Sequence, residues 1–350
     1  MSGIKDVAER AGVSTKTVSH ILNGKHLDRV RDKTRERVLA AANELNYRPN
    51  PHARALVGGK APLVRFGRRG STTLYVSNLK TSQLLSSIND LDHEWLLADI
   101  APDQHTDHLI DSLAWGQPEI VLLQVPTWDT DKLREICQAL HAQGSNVIIA
   151  DSHTLPPKDI PCDAVVIDRV AGTSLVAAHL VDLGHRRIGL LTPQTYASGR
   201  LEGYERVLSD TGIFDRFITT IDPSSDDKES WLEQMADRAS AATQKLLQNE
   251  PSITALICAS DMLALGAIRA LQQAHLRIPE DMAVTGMHNE PWTGLLSVPL
   301  TSVEEPVDEL CHSVKELLTK RLQKPDRQWQ RITLRPRLVV RESTVGEADG

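Results

Sequence analysis

The chain has 350 residues, 41% of them hydrophobic and 24% charged, enough for two or three domains around sizeable cores. No apolar run approaches the ~18–20 residues of a membrane span, and the N-terminus lacks a signal-peptide apolar core, which points to a cytoplasmic protein with no membrane partner. The formal net charge of −7 is unevenly placed: residues 1–70 hold 15 Lys/Arg against 6 Asp/Glu, and the remainder 24 against 40.

A basic head on an acidic body implies a polyanion partner at one end only. In the head, Asp6 precedes Val7, Ala8 and Ala11, a cap and apolar stripe for a first helix. Gly12 permits a turn. Ser14 is a second cap candidate, opening Thr15–Leu22. There Val18, Ile21 and Leu22 face inward, leaving Thr15, Lys16, Ser19 and His20 outside. A recognition helix presents its first turns to the major groove in this way. A surface helix pair with no partner has the same spacing, and the basic charge favours DNA. Lys33–Leu45 reads as a third helix, with Thr34, Val38, Ala41, Ala42 and Leu45 closing a small core. Arg29, Arg31, Lys33 and Arg35 are either phosphate contacts or a solvated face.

Pro49 ends that unit. Asn50 then caps, Pro51 suits a first helical position, and Gly58-Gly59 stops the helix. Two turns are too few for a stable isolated helix, so this hinge segment depends on DNA or a second subunit. Leu56 on it has no local core, and is either a minor-groove wedge or part of a plain linker.

Residues 60–71 have the composition of a linker. Beyond it, Thr73–Val76, Trp95–Ile100, Ile120–Gln124, Asn146–Ala150, Ala164–Ile167, Arg187–Leu191, Ala255–Cys258 and Met282–Thr285 read as strands. Helical stretches such as Leu109–Leu113, Asp131–Gln143, Ser174–Leu183 and Met262–Ala274 alternate with them. The alternation predicts an α/β body of doubly wound parallel sheets. Its length suggests two lobes, with a ligand between them at the strand carboxyl ends. Asp151 follows one such end and could accept from a hydroxyl. Cys137, Cys162, Cys258 and Cys311 are far apart and read as reduced, buried thiols. No Gly-x-Ser-x-Gly, P-loop or metal-ligand string occurs, so no enzyme activity, cofactor or metal is expected. The lone histidines His185 and His288 are more often structural than catalytic. A transport solute-binder would fit the body but not the basic head.

The head resembles the lactose/galactose repressor family through Ile4-Lys5-Asp6-Val7-Ala8, Gly12-Val13-Ser14, Thr17-Val18-Ser19, Asn23, Thr34-Arg35-Glu36-Arg37-Val38, Leu45-Asn46-Tyr47, Pro49-Asn50 and Ala53-Arg54-Ala55-Leu56. The body continues it in Ala178-His179-Leu180, Leu183-Gly184-His185-Arg186-Arg187-Ile188, Arg200-Leu201-Glu202-Gly203-Tyr204, Asp261-Met262-Leu263-Ala264-Leu265-Gly266, Ile278-Pro279-Glu280-Asp281 and Val284-Thr285-Gly286. The resemblance implies a three-helix helix-turn-helix head over 1–48 and a hinge helix over 49–59. A two-lobed periplasmic-binding-protein-like core follows over 72–341. Its first lobe spans about 72–160 and 291–322, its second about 161–290 and 323–341, and 342–350 is a tail. It further implies a homodimer on a near-palindromic double-stranded DNA operator, with a carbohydrate or nucleoside-like effector in the cleft. Thr15, Lys16 and His20 fall at base-reading positions. Ser14, Thr17, Ser19 and Asn23 fall at phosphate or groove-edge positions, with Lys5, Arg29 and Arg54 as further DNA contacts, and Ala53 and Leu56 at the minor-groove insertion.

In the cleft the resemblance places Arg200 against the effector, its guanidinium being a fork of donors for hydroxyl or carboxylate oxygens. Bracing the lobe hinge is its other reading. The family pattern is altered at three walls. Ser260 stands where Asn is usual, and His288 where a carboxylate is usual; an imidazole has one acceptor and one donor at most when neutral. The stretch from Ser77-Asn78-Leu79-Lys80-Thr81 to Trp95 looks short. Trp292 could stack on a flat ring or pack in the core. These departures leave open a regulator answering to a protein partner or to nothing. The chain ends soon after Arg341-Glu342-Ser343 with no leucine heptad, so a tail-built tetramer is not expected.

Overall fold

A computed structural model describes residues 4–22, 31–45, 63–69, 75–91, 93–100, 105–124, 129–152, 155–193, 197–222 and 231–346. The head folds as three helices, Ile4–Ala11, Thr15–Leu22 and Asp32–Glu44. Val7, Ala8, Ala11, Val18, Ile21, Val38, Ala41 and Ala42 form its core, with Val13, Leu22 and Leu45 packed around them. Gly12 makes the turn at φ +64° with open space around it. The first helix starts at Ile4, so Asp6 lies inside its first turn rather than before it, where a negative charge still complements the helix dipole.

The body contains two six-stranded sheets. The first is built from β1 (Leu63–Arg69), β2 (Glu94–Ile100), β3 (Ile120–Gln124), β4 (Asn146–Ala150), β5 (Asp163–Ile167) and β11 (Arg331–Leu334), in the order β11-β5-β4-β3-β1-β2. The second is built from β6 (Ile188–Pro193), β7 (Phe217–Ile221), β8 (Ala255–Cys258), β9 (Ala283–His288), β10 (Thr301–Glu304) and β12 (Arg337–Val339), in the order β12-β10-β9-β8-β6-β7. β3, β4, β5, β6 and β8 read as unbroken apolar runs because both sheet faces are covered. In the first sheet, Val121, Leu123, Val147 and Ile149 meet helices Thr106–Ala114 and Thr130–Ala142. Their neighbours Ile120, Leu122 and Ile148 meet helices Tyr75–Ile88 and Val307–Gln323 on the other face. The second sheet repeats the plan, with helices Trp231–Asn249 and Asp261–Gln273 on one face and Arg169–Asp182 and Ala197–Asp210 on the other.

Three features differ from the sequence reading. The first strand among the described residues is Leu63–Arg69, inside the segment read as linker, and of the strand expected over 73–76 the two described residues, Tyr75 and Val76, lie in a helix. Arg65, Arg68 and Arg69 hid the strand's alternation, although Val64 and Phe66 are fully buried. With the strand moved upstream, strand Leu63–Arg69, helix Tyr75–Ile88 and strand Glu94–Ile100 follow one another in the first lobe. The lobe boundaries also shift: β5 and β11 belong to the first sheet and β10 to the second, so the chain passes between lobes at Asp168, Glu305 and Arg335-Pro336. Finally, residues 342–345 are not a loose tail but a short helix. Ser343 is buried there, its hydroxyl donating to the Val284 carbonyl at 2.6 Å and accepting the Thr301 N–H at 2.8 Å.

Helices Arg169–Asp182 and Ala197–Asp210 cross closely at Gly203. A Cβ there would stand 2.3 Å from the Val170 carbonyl oxygen and 2.9 Å from the Thr173 Cβ. Gly203→Ala is therefore expected to cost about 1–3 kcal/mol by overpacking, read as a lower urea midpoint at unchanged slope.

Candidate nucleic-acid interface and interlobe cleft

Ser14 caps helix Thr15–Leu22: its Oγ accepts the Thr17 N–H at 3.2 Å and lies 2.9 Å from the Thr17 hydroxyl. With Val18 and Ile21 buried in the head core, Thr15 and Lys16 are exposed and Thr17, Ser19 and His20 half-exposed. Lys5, Arg31, Lys33 and Arg35 are exposed as well. Arg10 holds the first helix to the third through a forked pair with Glu44, Nε–Oε2 3.1 Å and Nη2–Oε1 2.6 Å. Both partners are open to solvent, so the pair adds little. Asn23, Arg29, Ala53, Arg54, Leu56 and the hinge segment lie outside the described residues.

In the body, strand ends and lobe crossings deliver a buried chain of charges. Asp151 follows β4 at φ +60°, a conformation that Asp tolerates better than most residues. Its Oδ2 accepts from Lys80 Nζ at 2.7 Å and its Oδ1 from Arg169 Nη2 at 2.8 Å. Lys80, on helix Tyr75–Ile88, also pairs with Glu305 Oε2. Arg169 Nη2 stands 3.8 Å from Glu305 Oε1 and its Nη1 donates to the Ser152 carbonyl at 3.2 Å. On the second lobe, His288 Nδ1 lies 3.4 Å from Glu305 Oε2, a contact without hydrogen-bond alignment. Its Nε2 lies 3.5 Å from Arg200 Nη2, and Arg200 Nε donates to the Ala259 carbonyl at 2.9 Å.

Burial opposes ionisation of Asp151, but Arg169 and Lys80 outweigh it and hold its carboxyl below the ordinary value. Glu305 is buried likewise, and Lys80, His288 and Arg169 hold it well below its ordinary value. Burial lowers His288, with Glu305 opposing and Arg200 and Lys80 assisting, so the imidazole is neutral at pH 7. Beside this cluster lies a cavity of about 420 Å³, lined by Leu79 and Gln83 of the first lobe, Asn289 and Pro291 of the second, and His288 and Glu305. Gln83 Oε1 is buried there without a hydrogen-bond partner.

His288 is aimed by a strained turn. It and Asn289 have φ of +103° and +50°, conformations that persist only when the surroundings over-determine them. Asp261 supplies that constraint, accepting the Glu290 N–H at 2.8 Å and the Ser302 hydroxyl at 2.6 Å. Burial pushes the Asp261 carboxyl up to about 8. Gly286 is required beside it, since a Cβ would stand 2.2 Å from Asp261 Oδ1. Arg341 Nη2 adds a bond to Asn289 Oδ1 at 2.6 Å.

Residues 3–50 match the family model of the bacterial regulatory proteins of the lacI family, and residues 177–344 that of a periplasmic binding protein-like domain. The chain is 29% identical over 354 residues to the ribose operon repressor of Haemophilus influenzae, covering 98% of both. It is 28% identical to the HTH-type transcriptional repressor PurR of Aliivibrio salmonicida, covering 98% of this chain and 99% of that one. Among solved structures it is similar to the lac repressor dimer bound to operator and the anti-inducer ONPF, at 26% identity and a TM-score of 0.81 over 98% and 99% of the two chains. A complex of the transcriptional regulator CelR with cellobiose is also similar, at 26% identity and a TM-score of 0.67 over 98% and 100%.

The chain belongs to the lacI family. As a lacI-family protein it is a DNA-binding transcriptional repressor and not an enzyme. Among its described residues no helix is long and apolar enough to cross a membrane, and no group of three His, Cys, Asp or Glu could hold a metal ion. Of the residues singled out for its cleft, the structure brings Asp151, Arg200 and His288 into one cluster. Ser260 and Trp292 do not join it. Ser260 Oγ caps helix Asp261–Gln273 by accepting the Leu263 N–H at 3.2 Å, and Trp292 Nε1 donates to Glu290 Oε2 at 2.5 Å. Lys80, Arg169 and Glu305 escaped the sequence reading. The signal that marked Asp151, a charge just past a strand's carboxyl end, also marks Arg169 after β5 and Glu305 after β10. Lys80 carries no such mark.

Lys80→Met leaves two buried carboxylates without their shared cation and is expected to cost about 3–5 kcal/mol at pH 7, measured by denaturant unfolding. Because Asp151 and Glu305 are held down in the fold, their contribution is complete above the ordinary carboxylate range and disappears as pH falls through the folded values. Without Lys80 those values rise, so the acid limb of a Tm-against-pH curve should move to higher pH than in wild type.

Proposed function

We propose that this repressor binds a near-palindromic double-stranded operator as a homodimer, and that a small molecule in the interlobe cleft switches its affinity for that operator. The observation that carries the DNA reading is the outer face of helix Thr15–Leu22, where Thr15, Lys16, Ser19 and His20 remain accessible while Val18 and Ile21 are spent on the core. Thr15, Lys16 and His20 would read base edges. Ser14, Thr17, Ser19, Asn23, Lys5, Arg29 and Arg54 would position the head, and Ala53 and Leu56 of the hinge would enter the minor groove. The lac repressor structure, a dimer bound to operator and the anti-inducer ONPF, supports the reading of a dimer on an operator.

The switch reading rests on the cleft lying where the chain crosses between lobes: Glu305 sits on a crossing and lines the cavity, and Arg169, beside another crossing, belongs to the same ion cluster. A ligand that changes the lobe angle there would change how two hinge segments meet across a dimer. A coupling of about 1–3 kcal/mol suffices for a 5–150-fold change in operator affinity. A carbohydrate or nucleoside-like effector is the family expectation. A second reading, regulation without any small molecule, is favoured by one observation: Lys80 and Arg169 already occupy the carboxylates of the cleft.

Selection of genomic DNA fragments by the full chain would supply the operator. On that operator, Lys16→Ala and His20→Ala are expected to shift base preference at the contacted positions, with about 1–3 kcal/mol lost per base pair read. Leu56→Ala should weaken specific binding while leaving non-specific binding at the same salt unchanged. Unaltered operator affinity in Leu56→Ala would remove the wedge.

A further inference from the structure

Open α/β sheets hold their ligands outside the carboxyl ends of the strands, and here a side chain of the protein itself stands in that place. Asp151 follows β4 and Glu305 follows β10, one strand from each sheet. Between the two carboxylates lies the Lys80 ammonium, 2.7 Å from Asp151 Oδ2 and paired with Glu305 Oε2. Arg169 closes the other side, 2.8 Å from Asp151 Oδ1 and 3.8 Å from Glu305 Oε1. The four side chains make a ring of alternating charge, and none is more than 8% exposed. The ring spans the lobes. Lys80 rides on helix Tyr75–Ile88, packed on the first sheet, whereas Glu305 directly follows a strand of the second. Asp151 ends a strand of the first sheet, and Arg169 opens a helix packed on the second. The Lys80–Glu305 and Arg169–Asp151 pairs thus each join one lobe to the other.

Both cations are aimed by their own helices. The hydroxyl of Thr81 donates to Gln124 Oε1 at 2.6 Å, and both residues are buried, so the turn that carries Lys80 is tied to the end of β3. Asp168 caps the helix that Arg169 opens, accepting the Ala171 N–H at 2.8 Å. Side chains held in this way have already given up the freedom that a diffusing ligand loses on binding. The cavity of about 420 Å³ lies to one side of the ring. Glu305 and His288 line it, as do Leu79 and Gln83 from the helix of Lys80, but Asp151 does not. The carboxylates at the strand ends are therefore filled from within, and Glu305 is the residue that faces both the ammonium and the cavity.

We propose that Lys80 is a built-in ligand of the interlobe cleft: its ammonium bridges Asp151 and Glu305, holds the lobes in one arrangement with no small molecule bound, and so sets the operator affinity of that arrangement. The proposal rests on the reading that this cleft governs operator affinity. A small molecule in the cavity then acts on the lobe angle by competing with Lys80 for Glu305. Lys80 is a positioning residue, and its removal should turn the cleft into a site for a primary ammonium ion.

The test removes the built-in ligand and returns it from solution. Lys80→Ala deletes the side chain beyond Cβ, a piece that n-propylammonium matches. Full-length wild type and Lys80→Ala are compared in sodium chloride and in n-propylammonium chloride, at tens of millimolar and equal ionic strength. The readouts are thermal shift and binding to the operator selected as above. n-Propanol controls for apolar filling, and tetramethylammonium for charge without an N–H donor. n-Propylammonium should raise the Tm of Lys80→Ala measurably and leave wild type unmoved. Operator affinity of Lys80→Ala should differ from wild type at least about tenfold, and n-propylammonium should return it toward the wild-type value. A folded Lys80→Ala whose Tm ignores n-propylammonium, or answers equally to either control, would overturn the built-in ligand. Rescue of Tm with operator affinity equal to wild type throughout would overturn the control of the operator, and with it the reading of the cleft, while the bridging contact stands. Where circular dichroism shows that Lys80→Ala does not fold, Lys80→Gln, of similar length but neutral, takes its place: a change of about tenfold in operator affinity supports the proposal, and an unchanged affinity defeats it.

Discussion

The organisation of the body depends on one constraint: buried charges must be paired where the chain passes from lobe to lobe. Glu305 lies on one crossing, Arg169 begins the helix after another, and Lys80 and Asp151 come from the first lobe to meet them. In a weakly screened interior such contacts are strong, yet desolvation cancels much of the gain, so an ion cluster contributes less to stability than to selecting one arrangement over others. Opening the cleft means separating Lys80 from Glu305 or carrying both through rearrangement. The lobe angle is thus tied to the electrostatics of the crossings.

The second lobe answers with a different device. A strained turn at His288 and Asn289 is held by the buried Asp261 carboxyl, by Ser302 and by Arg341. The turn projects an imidazole toward Glu305 while its backbone is anchored deep in the lobe. Asp261 thereby serves the cleft without touching it, and its contact with Gly286 explains why a side chain is excluded from that position of β9. Polar groups that would be expensive to bury alone become a rigid support when each has its partner.

Most of this architecture was legible in the sequence because strands covered on both faces are continuous apolar runs, and Ile120–Gln124, Asn146–Ala150 and Ala255–Cys258 match the structure to the residue. Leu63–Arg69 was not legible: three arginines in seven residues look like linker, and only burial of Val64 and Phe66 identifies the strand. In the cleft, Asp151, Arg200 and His288 could be found because strand ends and family strings mark their positions. Lys80 could not, since a single lysine in a helix takes its meaning from two carboxylates distant in sequence. Ser260 and Trp292 showed the converse limit, because a residue can occupy a ligand-facing slot and still spend its polar atom on a helix cap or a neighbouring glutamate.

The order in which the sheets are assembled bears on how the protein is made. β5 finds its outer neighbour in β11, where Ala164 is aligned with Arg331, almost half the chain later. A nascent chain leaving the ribosome therefore exposes one edge of its first sheet, and one apolar face awaiting helix Val307–Gln323, while the whole second lobe is being synthesised. Unpaired edges and bare apolar faces invite association with other chains. The interleaved connectivity of the two sheets thus sets a long period of vulnerability during biosynthesis, which ends only when the last strands arrive.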